Sequence, residues 1–521
     1  CKYMNWQVEF LVIFEFFLNY VLRAINSEEI FGGACGMTIR LLIVFCLFFL
    51  SGPMTAGALL SQHNMGLKMD VSLLARNHII KTPTSTWPIF WPSIVDELLL
   101  YDPSNLSAPL RPVFDRVLRQ GHLAVSGKRD RRVRIRFKSK RSPISKQAYG
   151  ASDKSRLTIT DTVSSGSFEA RLNINLSQDQ KFTGLEDSYV GLSSGRNIIG
   201  YGLINHWWGS GVVNSLILSD NAPARNGIFW RSASGKPIDM PFIEWLGAYS
   251  FVSFVETLDD DRHVKNTKLI GLSFGFRPLA WLEINARRLM QWGGEGRPEG
   301  ARNFFDMLLS EGENCSSKEC KINEPGNQQA SIELRFDLPK IYSSVFVQYV
   351  GEDEANFFPS RGVFQTGFQS DFVFRDALWS AYGEISDTTI GAFSRNKRVN
   401  SFNNHSLYKT GMRYKGSAIG AEMDNDTRAV ALGLAGFIRP GMFGHFSTKY
   451  AEVNYDSLGG KVSGHVLAPN GAKYTEVSAE ISQHLGDFEF EVGLAFRNAD
   501  QGAILGLEEG LGLFLELGRQ F

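Results

Sequence analysis

The 521-residue chain carries no net charge, with 54 Lys+Arg set against 54 Asp+Glu. A dedicated nucleic-acid binder carries excess positive charge, so that class is set aside. Cysteine is scarce at five residues, and proline is ordinary at 18. Beyond residue 60 no apolar run reaches the length of a transmembrane helix. H-E-x-x-H, the P-loop and the dinucleotide fingerprint are all missing. Disorder is excluded too, because 43% of residues are hydrophobic and only 21% charged. What is abundant is Phe, with 39 residues, and Gly, with 51, both above ordinary globular usage. Such a chain suggests many β-strands joined by tight turns.

The N-terminal stretch differs from the body. Met37-Thr38-Ile39-Arg40 is a short start with one positive charge, and Leu41 to Leu50 is an unbroken apolar run. Ser51-Gly52-Pro53 breaks that run, and Ala56-Gly57-Ala58 supplies small residues for a signal peptidase. Residues 37–58 therefore read as a secretory signal cleaved after Ala58, too short to remain as a membrane helix. Residues 1–36 begin with Cys1 and read as non-native upstream sequence; the other reading, a second membrane helix from Phe10 to Leu22, is interrupted by Glu15. Cys46 follows Phe45 where a lipoprotein signal needs a small residue, which argues against a lipid anchor. In the body only Cys315 and Cys320 remain, in a polar loop, and an oxidising compartment makes a local disulfide the natural reading. No His lies near them to favour metal, and no metal or other cofactor is expected.

Residues 59–125 look helical. Asp70 to Arg76 spaces its apolar residues for one face, Ser93 to Leu100 makes a second helix, and Pro109 to Arg119 a third, capped by Ser107 and ended by Gly121. From residue 126 the period changes to two. Arg132 to Lys138 alternates cationic and apolar residues, and alternation recurs in Phe168–Ile174, Ser331–Phe336, Val345–Tyr349 and Glu476–Ile481. Aromatics such as Trp245, Tyr249, Phe251 and Phe254 lie near strand ends, and Gly420, Glu422 and Asp424 look like a small or polar lumenal face. Leu513 to Phe521 is an alternating terminal strand ending in an aromatic, though Arg519 interrupts its apolar face. So much alternating strand fits one large antiparallel transmembrane β-barrel over residues 126–521 better than a series of sandwiches.

Candidate catalytic motifs are weak. Gly191-Leu192-Ser193-Ser194-Gly195 matches the G-x-S-x-G elbow, but that elbow needs a helix after the serine, and Arg196 to Ile204 reads as strand. Asp259-Asp260-Asp261 reads as a solvated hairpin loop more readily than as a cation site. Lys128 to Arg141 holds nine Lys/Arg. On a barrel strand its cationic face must point into the lumen, because Arg facing lipid costs about 2–4 kcal/mol at the midplane. There it would either favour acidic solutes or pair with lumenal carboxylates.

The most distinctive segment is Asn205-His206-Trp207-Trp208-Gly209-Ser210-Gly211, followed by Leu216-Ile217-Leu218-Ser219-Asp220-Asn221-Ala222. A Trp pair amid Gly, Asn and Ser suits sugar recognition, where indole stacks on sugar faces. It equally suits a membrane-interface aromatic belt and tight packing. This segment, with Gln291-Trp292-Gly293-Gly294-Glu295-Gly296-Arg297-Pro298, Val350-Gly351-Glu352-Asp353-Glu354-Ala355 and Thr86-Trp87-Pro88, resembles the Wzi capsule-assembly family over roughly residues 66–521. The resemblance implies an outer-membrane barrel of about 18 strands, plugged from the periplasm by the helical residues 59–125. It implies a lectin-like, non-enzymatic protein that holds capsular polysaccharide at the cell surface. Trp207, Trp208, Asn221, Gln291, Trp292 and Arg297 are then the residues expected to contact or shape the polysaccharide site. The partners expected are capsular polysaccharide and outer-membrane lipid, with no nucleic acid, around a monomer. The competing reading is a porin-like diffusion channel for acidic solutes. Residues 1–36 and the Cys315–Cys320 loop depart from the family pattern.

Overall fold

A computed structural model describes residues 59–61, 63–144, 153–177, 184–308, 326–355, 358–375, 377–391, 397–458 and 465–521. The signal segment, residues 1–36 and the Cys315–Cys320 pair lie outside the described residues. Among the described residues no helix is long and apolar enough to cross a membrane.

Eighteen strands carry the chain around one closed antiparallel barrel. They are β1 (Asp130–Lys138), β2 (Ser155–Ser165), β3 (Phe168–Ser177), β4 (Tyr189–Ser194), β5 (Asn197–Ile204) and β6 (Arg225–Ser234). Next come β7 (Ala248–Thr257), β8 (Lys268–Leu279), β9 (Leu282–Trp292), β10 (Gly326–Leu338), β11 (Ser343–Ala355) and β12 (Phe358–Phe374). The last are β13 (Ala377–Asp387), β14 (Arg428–Arg439), β15 (Met442–Val453), β16 (Ala472–Leu485), β17 (Phe488–Asp500) and β18 (Gly510–Gln520). Closure is between β18 and β1, where Phe514 lies opposite Lys138 and Gln520 opposite Arg132.

Period-two alternation sorts the side chains. On β18, Leu511, Leu513, Leu515 and Leu517 point outward and are exposed, while Glu516 points inward and is buried. On β1, Ile135 and Phe137 are outward, and the inward Arg136 donates to Glu516, with Nε 2.6 Å from the carboxylate. Arg134 reaches the same carboxylate at 3.8 Å. The cationic face thus points into the lumen, where at least two of its members pair with a carboxylate. The outward apolar band is the surface a bilayer covers. Arg519 stays outward and lies over the rings of Phe488 and Phe521, at 5.2 and 4.7 Å.

The two ends of the barrel differ. At one, strands join through the tight turns Gly166–Ser167, Gly195–Arg196, Ala280–Trp281, Pro440–Gly441 and Gly486–Asp487; at the other, long segments leave and return. Gly195 sits in such a hairpin turn at φ 55°, so the Gly191–Gly195 motif is strand and turn, with no helix after Ser193.

Three helices precede β1: α1 (Met65–Arg76), α2 (Trp91–Leu100) and α3 (Arg111–Val125). Asn64 starts α1, accepting the Leu67 N–H at 2.9 Å. α3 does not end at Gly121 as the sequence suggested; it continues to Val125. At Gly121 the helix meets α2, and an added Cβ would lie 3.2 Å from the Trp91 ring and against Val95. The glycine serves close helix approach. Val71, Leu74, Ile94, Val95, Leu98, Val113, Phe114 and Val117 form a core of their own between these helices. Burying side chains of this kind is worth about 1.5–3 kcal/mol each.

The helical unit is fastened to the tight-turn end of the wall. The Arg76 guanidinium grips Asp371 of β12, with Nη2 2.8 Å from both oxygens and Nε 3.1 Å from one. Arg277 of β8 reaches the Ala75 carbonyl at 3.3 Å. Arg116 of α3 lies 3.8 Å over the Phe437 ring of β14.

Candidate functional site

Two chain segments from the long-loop end fill the lumen above the helices. The first, residues 205–224, links β5 to β6 by way of the interior. Its Trp207 and Trp208 pair antiparallel with Trp87 and Thr86, so the loop and the helical unit share a two-stranded ladder inside the barrel. Adjacent residues of a strand point to opposite faces. Accordingly Trp207 joins the helical core, while Trp208 joins a second core with Leu216, Ile217, Leu218, Phe254, Leu258, Phe402, Met412 and Ile419. The pair is the joint between the two cores. Trp207 donates through Nε1 to the Gly209 carbonyl at 3.1 Å, and Lys68 Nζ sits 4.2 Å over its ring.

The Gly-Ser-Gly that follows is held by polar groups of the lumenal wall. Glu333 of β10 accepts from the Ser210 N–H at 3.0 Å and its hydroxyl at 2.9 Å. Gln348 of β11 donates to the Trp208 carbonyl and accepts from the Leu216 N–H, both at 2.9 Å. Glu384 of β13 accepts from the N–H groups of Val212, Val213 and Asn214, the last two at 3.2 and 3.3 Å. Nearby, His206 stacks on Phe254 with centroids 4.5 Å apart and contacts Glu256 at 3.0 Å. Glu256 also takes the Arg225 guanidinium at 2.6 Å. Most buried polar groups need hydrogen-bond partners, and the strands supply these at fixed heights.

The second segment, described at residues 388–391 and 397–427, forms a cap at the mouth. Arg413–Tyr414 pairs with Ser417–Ala418, and Arg413 is clamped on Asp424 at 2.6 Å. The Gly420–Asp424 stretch, which alternates like a barrel strand, belongs to this cap. The cap bonds to the first segment through Ser219 N–H to the Ile419 carbonyl at 3.0 Å and Ala421 N–H to the Leu216 carbonyl at 3.2 Å. Two aspartates of the Asp259–Asp261 run hold it as well. Asp259 accepts from the Tyr414 hydroxyl, and Asp260 from the Lys415 N–H at 3.0 Å, while Asp259 and Asp261 stay exposed, as expected of a solvated run.

The six sequence candidates separate into two groups. Trp207, Trp208, Asn221 and Gln291 are buried. Asn221 donates to the Ala418 carbonyl at 2.9 Å and Gln291 to the Gly411 carbonyl at 2.8 Å, so both hold the cap. Trp292 and Arg297 are half-buried at the long-loop end. Trp292 packs edge-on against Phe304 of α4 (Ala301–Leu308), with centroids 5.9 Å apart. Arg297 lies 5.7 Å over the Tyr408 ring, whose hydroxyl donates to the Gly293 carbonyl at 3.1 Å. Burial pushes the Tyr408 hydroxyl pKa up, with the Arg297 charge opposing. His263, Lys265, Glu295, Glu299 and Lys409, on loops that adjoin there, are exposed. The sequence did not single out Lys409, His263 or the buried Tyr408, whose loops have no periodicity to mark them.

A chamber of about 570 Å³ remains inside the barrel beside α1 and α3. Its walls carry both charges: Arg132, Arg134, Arg136 and Arg171 on β1 and β3, and Glu476, Glu480, Glu491 and Glu516 on β16 to β18, among which Arg497 of β17 pairs with Glu476.

A closed 18-strand barrel with an apolar outer band, a helical filling at one end and a folded cap at the other defines a plugged β-barrel membrane protein. The chain belongs to the capsule assembly protein Wzi family, whose model matches residues 143–500. A solved structure of Wzi, an outer membrane protein involved in group 1 capsule assembly in Escherichia coli and described as a carbohydrate-binding β-barrel, has the same fold. It aligns with TM-score 0.77 at 22% identity, covering 89% of this chain and 99% of that one. An uncharacterised 55.8 kDa protein of the cps region of Klebsiella pneumoniae is 26% identical over 385 residues, 71% of this chain and 74% of its own length.

Proposed function

We propose that this protein sits in the outer membrane and attaches capsular polysaccharide to the cell surface, as a non-enzymatic, lectin-like barrel. The observation that carries the reading is the cap. Residues 397–427 are stitched to the loops from β5 and β7 and to the end of β9, giving a built polar surface at the long-loop end. Long loops of such barrels face the outside and tight turns the periplasm. With that orientation residues 59–125 serve as a periplasmic plug. On the outer surface Trp292 and Arg297, with Lys409 and His263 beside them, are the groups suited to sugar faces and uronic-acid carboxylates, and the buried Tyr408 supports Arg297 from below. Trp207, Trp208, Asn221 and Gln291 shape that surface from below. A polymer engages many copies and repeats, so weak single contacts suffice.

Changing Arg297 and Trp208 separately to Ala tests this, reading capsule retained on cells beside barrel in the membrane. Arg297→Ala should lose capsule at normal barrel levels. Trp208→Ala opens a cavity between two cores and should reduce both; such truncations cost about 3–5 kcal/mol. Normal capsule on the Arg297→Ala strain would remove that residue from the site. The second reading, a diffusion channel for acidic solutes, has the Arg-lined chamber on its side. Porin-like conductance from the intact protein would establish it.

A further inference from the structure

The connection between β6 and β7, residues 235–247, departs from the pattern of its end of the barrel. Neighbouring connections there are two-residue turns such as Gly195–Arg196 and Ala280–Trp281. This one carries Lys236-Pro237-Ile238-Asp239-Met240-Pro241-Phe242-Ile243-Glu244-Trp245-Leu246. Its large apolar side chains stand free: Phe242 is 94% exposed, Trp245 64% and Met240 55%. Exposure of that order at three clustered apolar residues marks an interaction surface.

The loop has a built conformation. The Met240 N–H donates to the Ile238 carbonyl at 2.8 Å, the Leu246 N–H to Ile243 at 3.0 Å and the Gly247 N–H to Glu244 at 3.0 Å. Phe242 adopts φ 76°, a left-handed conformation uncommon for a bulky residue, which turns its ring away from the loop's own core. Both ends are pinned. A Cβ at Gly235 would collide with the Glu97 carboxylate of α2, and one at Gly247, at φ 69°, with the Arg277 carbonyl of β8. At Gly247 a side chain would have to move the wall's backbone, and at Gly235 it would have to displace the Glu97 carboxylate.

The loop lies on the outside of the barrel. Trp245 packs edge-on against Phe276 of β8, with centroids 6.1 Å apart, and Phe276 stacks on Phe274 at 5.6 Å. Phe276 faces Tyr249 across the strand pair, and Phe274 faces Phe251, which meets Trp230 at 4.9 Å. Leu279 and Trp281, at the adjoining turn, are outward and exposed. Trp245 and Phe242 therefore extend the aromatic face that the bilayer covers, beyond the last strand residues.

We propose that residues 236–246 are a membrane-interface anchor, with Met240, Phe242 and Trp245 inserted into the headgroup–acyl boundary of the leaflet on the tight-turn side. The occupant is phospholipid. Continuity with the lipid-facing wall favours it, as does the side-chain pattern: Lys236, Asp239 and Glu244 are exposed and stay at headgroup level around the apolar tips. Aromatic residues favour that depth, and interfacial segments bury their apolar face about 5–10 Å. The loop fixes the height and tilt of the barrel on that side, and through Gly235 and Glu97 it couples this height to the plug.

Fluorescence quenching on the full protein in phosphatidylcholine vesicles tests this, using lipids brominated at shallow or deep acyl positions and aqueous iodide. Phe242→Trp should add an emission component that is blue-shifted, quenched most by shallow bromines and spared by iodide; Trp245→Phe should remove such a component. Both variants should keep the wild-type gel shift on boiling, which reports the folded barrel. An added component quenched by iodide and indifferent to bromine would overturn the proposal, whether the loop then stands in water or serves a soluble partner.

Discussion

Asp371→Ala strikes the point where the plug is tied to the wall. Arg76 and Asp371 are both buried to 0% side-chain exposure and joined by a bidentate contact with N–O distances of 2.8 to 3.1 Å. Ser72 takes another guanidinium hydrogen bond at 2.9 Å. Removing only the carboxylate leaves an uncompensated buried cation, which costs about 3–5 kcal/mol. At about 1.4 kcal/mol per factor of ten, α1 undocks roughly 140-fold to several thousandfold more often. Removing both charges with packed apolar residues is often near neutral. Hydrogen exchange of the α1 amides, residues 65–76, reads the change directly. Asp371→Ala should accelerate it by that order, while Arg76→Met with Asp371→Leu should return it most of the way. Equal exchange in the single variant and the wild type would refute the idea that this pair holds the plug. So would a double variant as fast as the single one.

Deleting residues 59–125 should convert a non-conducting protein into an open pore in planar bilayers; unchanged conductance would mean that the lumenal loops alone seal the barrel. The cap should loosen as pH rises from about 4 to 7. Burial, aided by Asp456 and Asp424, pushes the Asp426 carboxyl up to about 7, so its stabilising protonated form is lost over that window. Asp424, held low by Arg413 against the opposing effect of burial, loses its contribution only in stronger acid, so the two windows separate. Asp426→Asn should flatten the drop in thermal midpoint between pH 5 and pH 8, and an unchanged drop would point to another group.

The barrel was legible because period-two alternation survives in strands that face lipid on one side and a polar lumen on the other. Phe168–Ile174, Ser331–Phe336 and Glu476–Ile481 all lie in barrel strands. Alternation alone misplaced two features. Gly420–Asp424 alternates in the cap, where the partners are the Ser219 hydroxyl, the Leu216 carbonyl and Arg413. Phe254, expected among end aromatics, points inward at 2% exposure because it shares the even-numbered face of β7 with Val252 and Glu256. The Trp pair was ambiguous for a chemical reason. Indole beside Gly, Ser and Asn suits a sugar or a packed lumen alike, and only the register with Thr86 and Trp87 places these rings inside. Long-range ties such as Ser210 to Glu333 leave no local trace in a chain.

The central claim is attachment of polysaccharide, and equilibrium binding of the purified, folded protein to a panel of acidic and neutral capsular polysaccharides tests it most directly. The account predicts binding to long polymer that weakens steeply as the chains are cut, because avidity from repeated contacts supplies most of the affinity. A folded barrel that binds no polymer of any charge or length would contradict it.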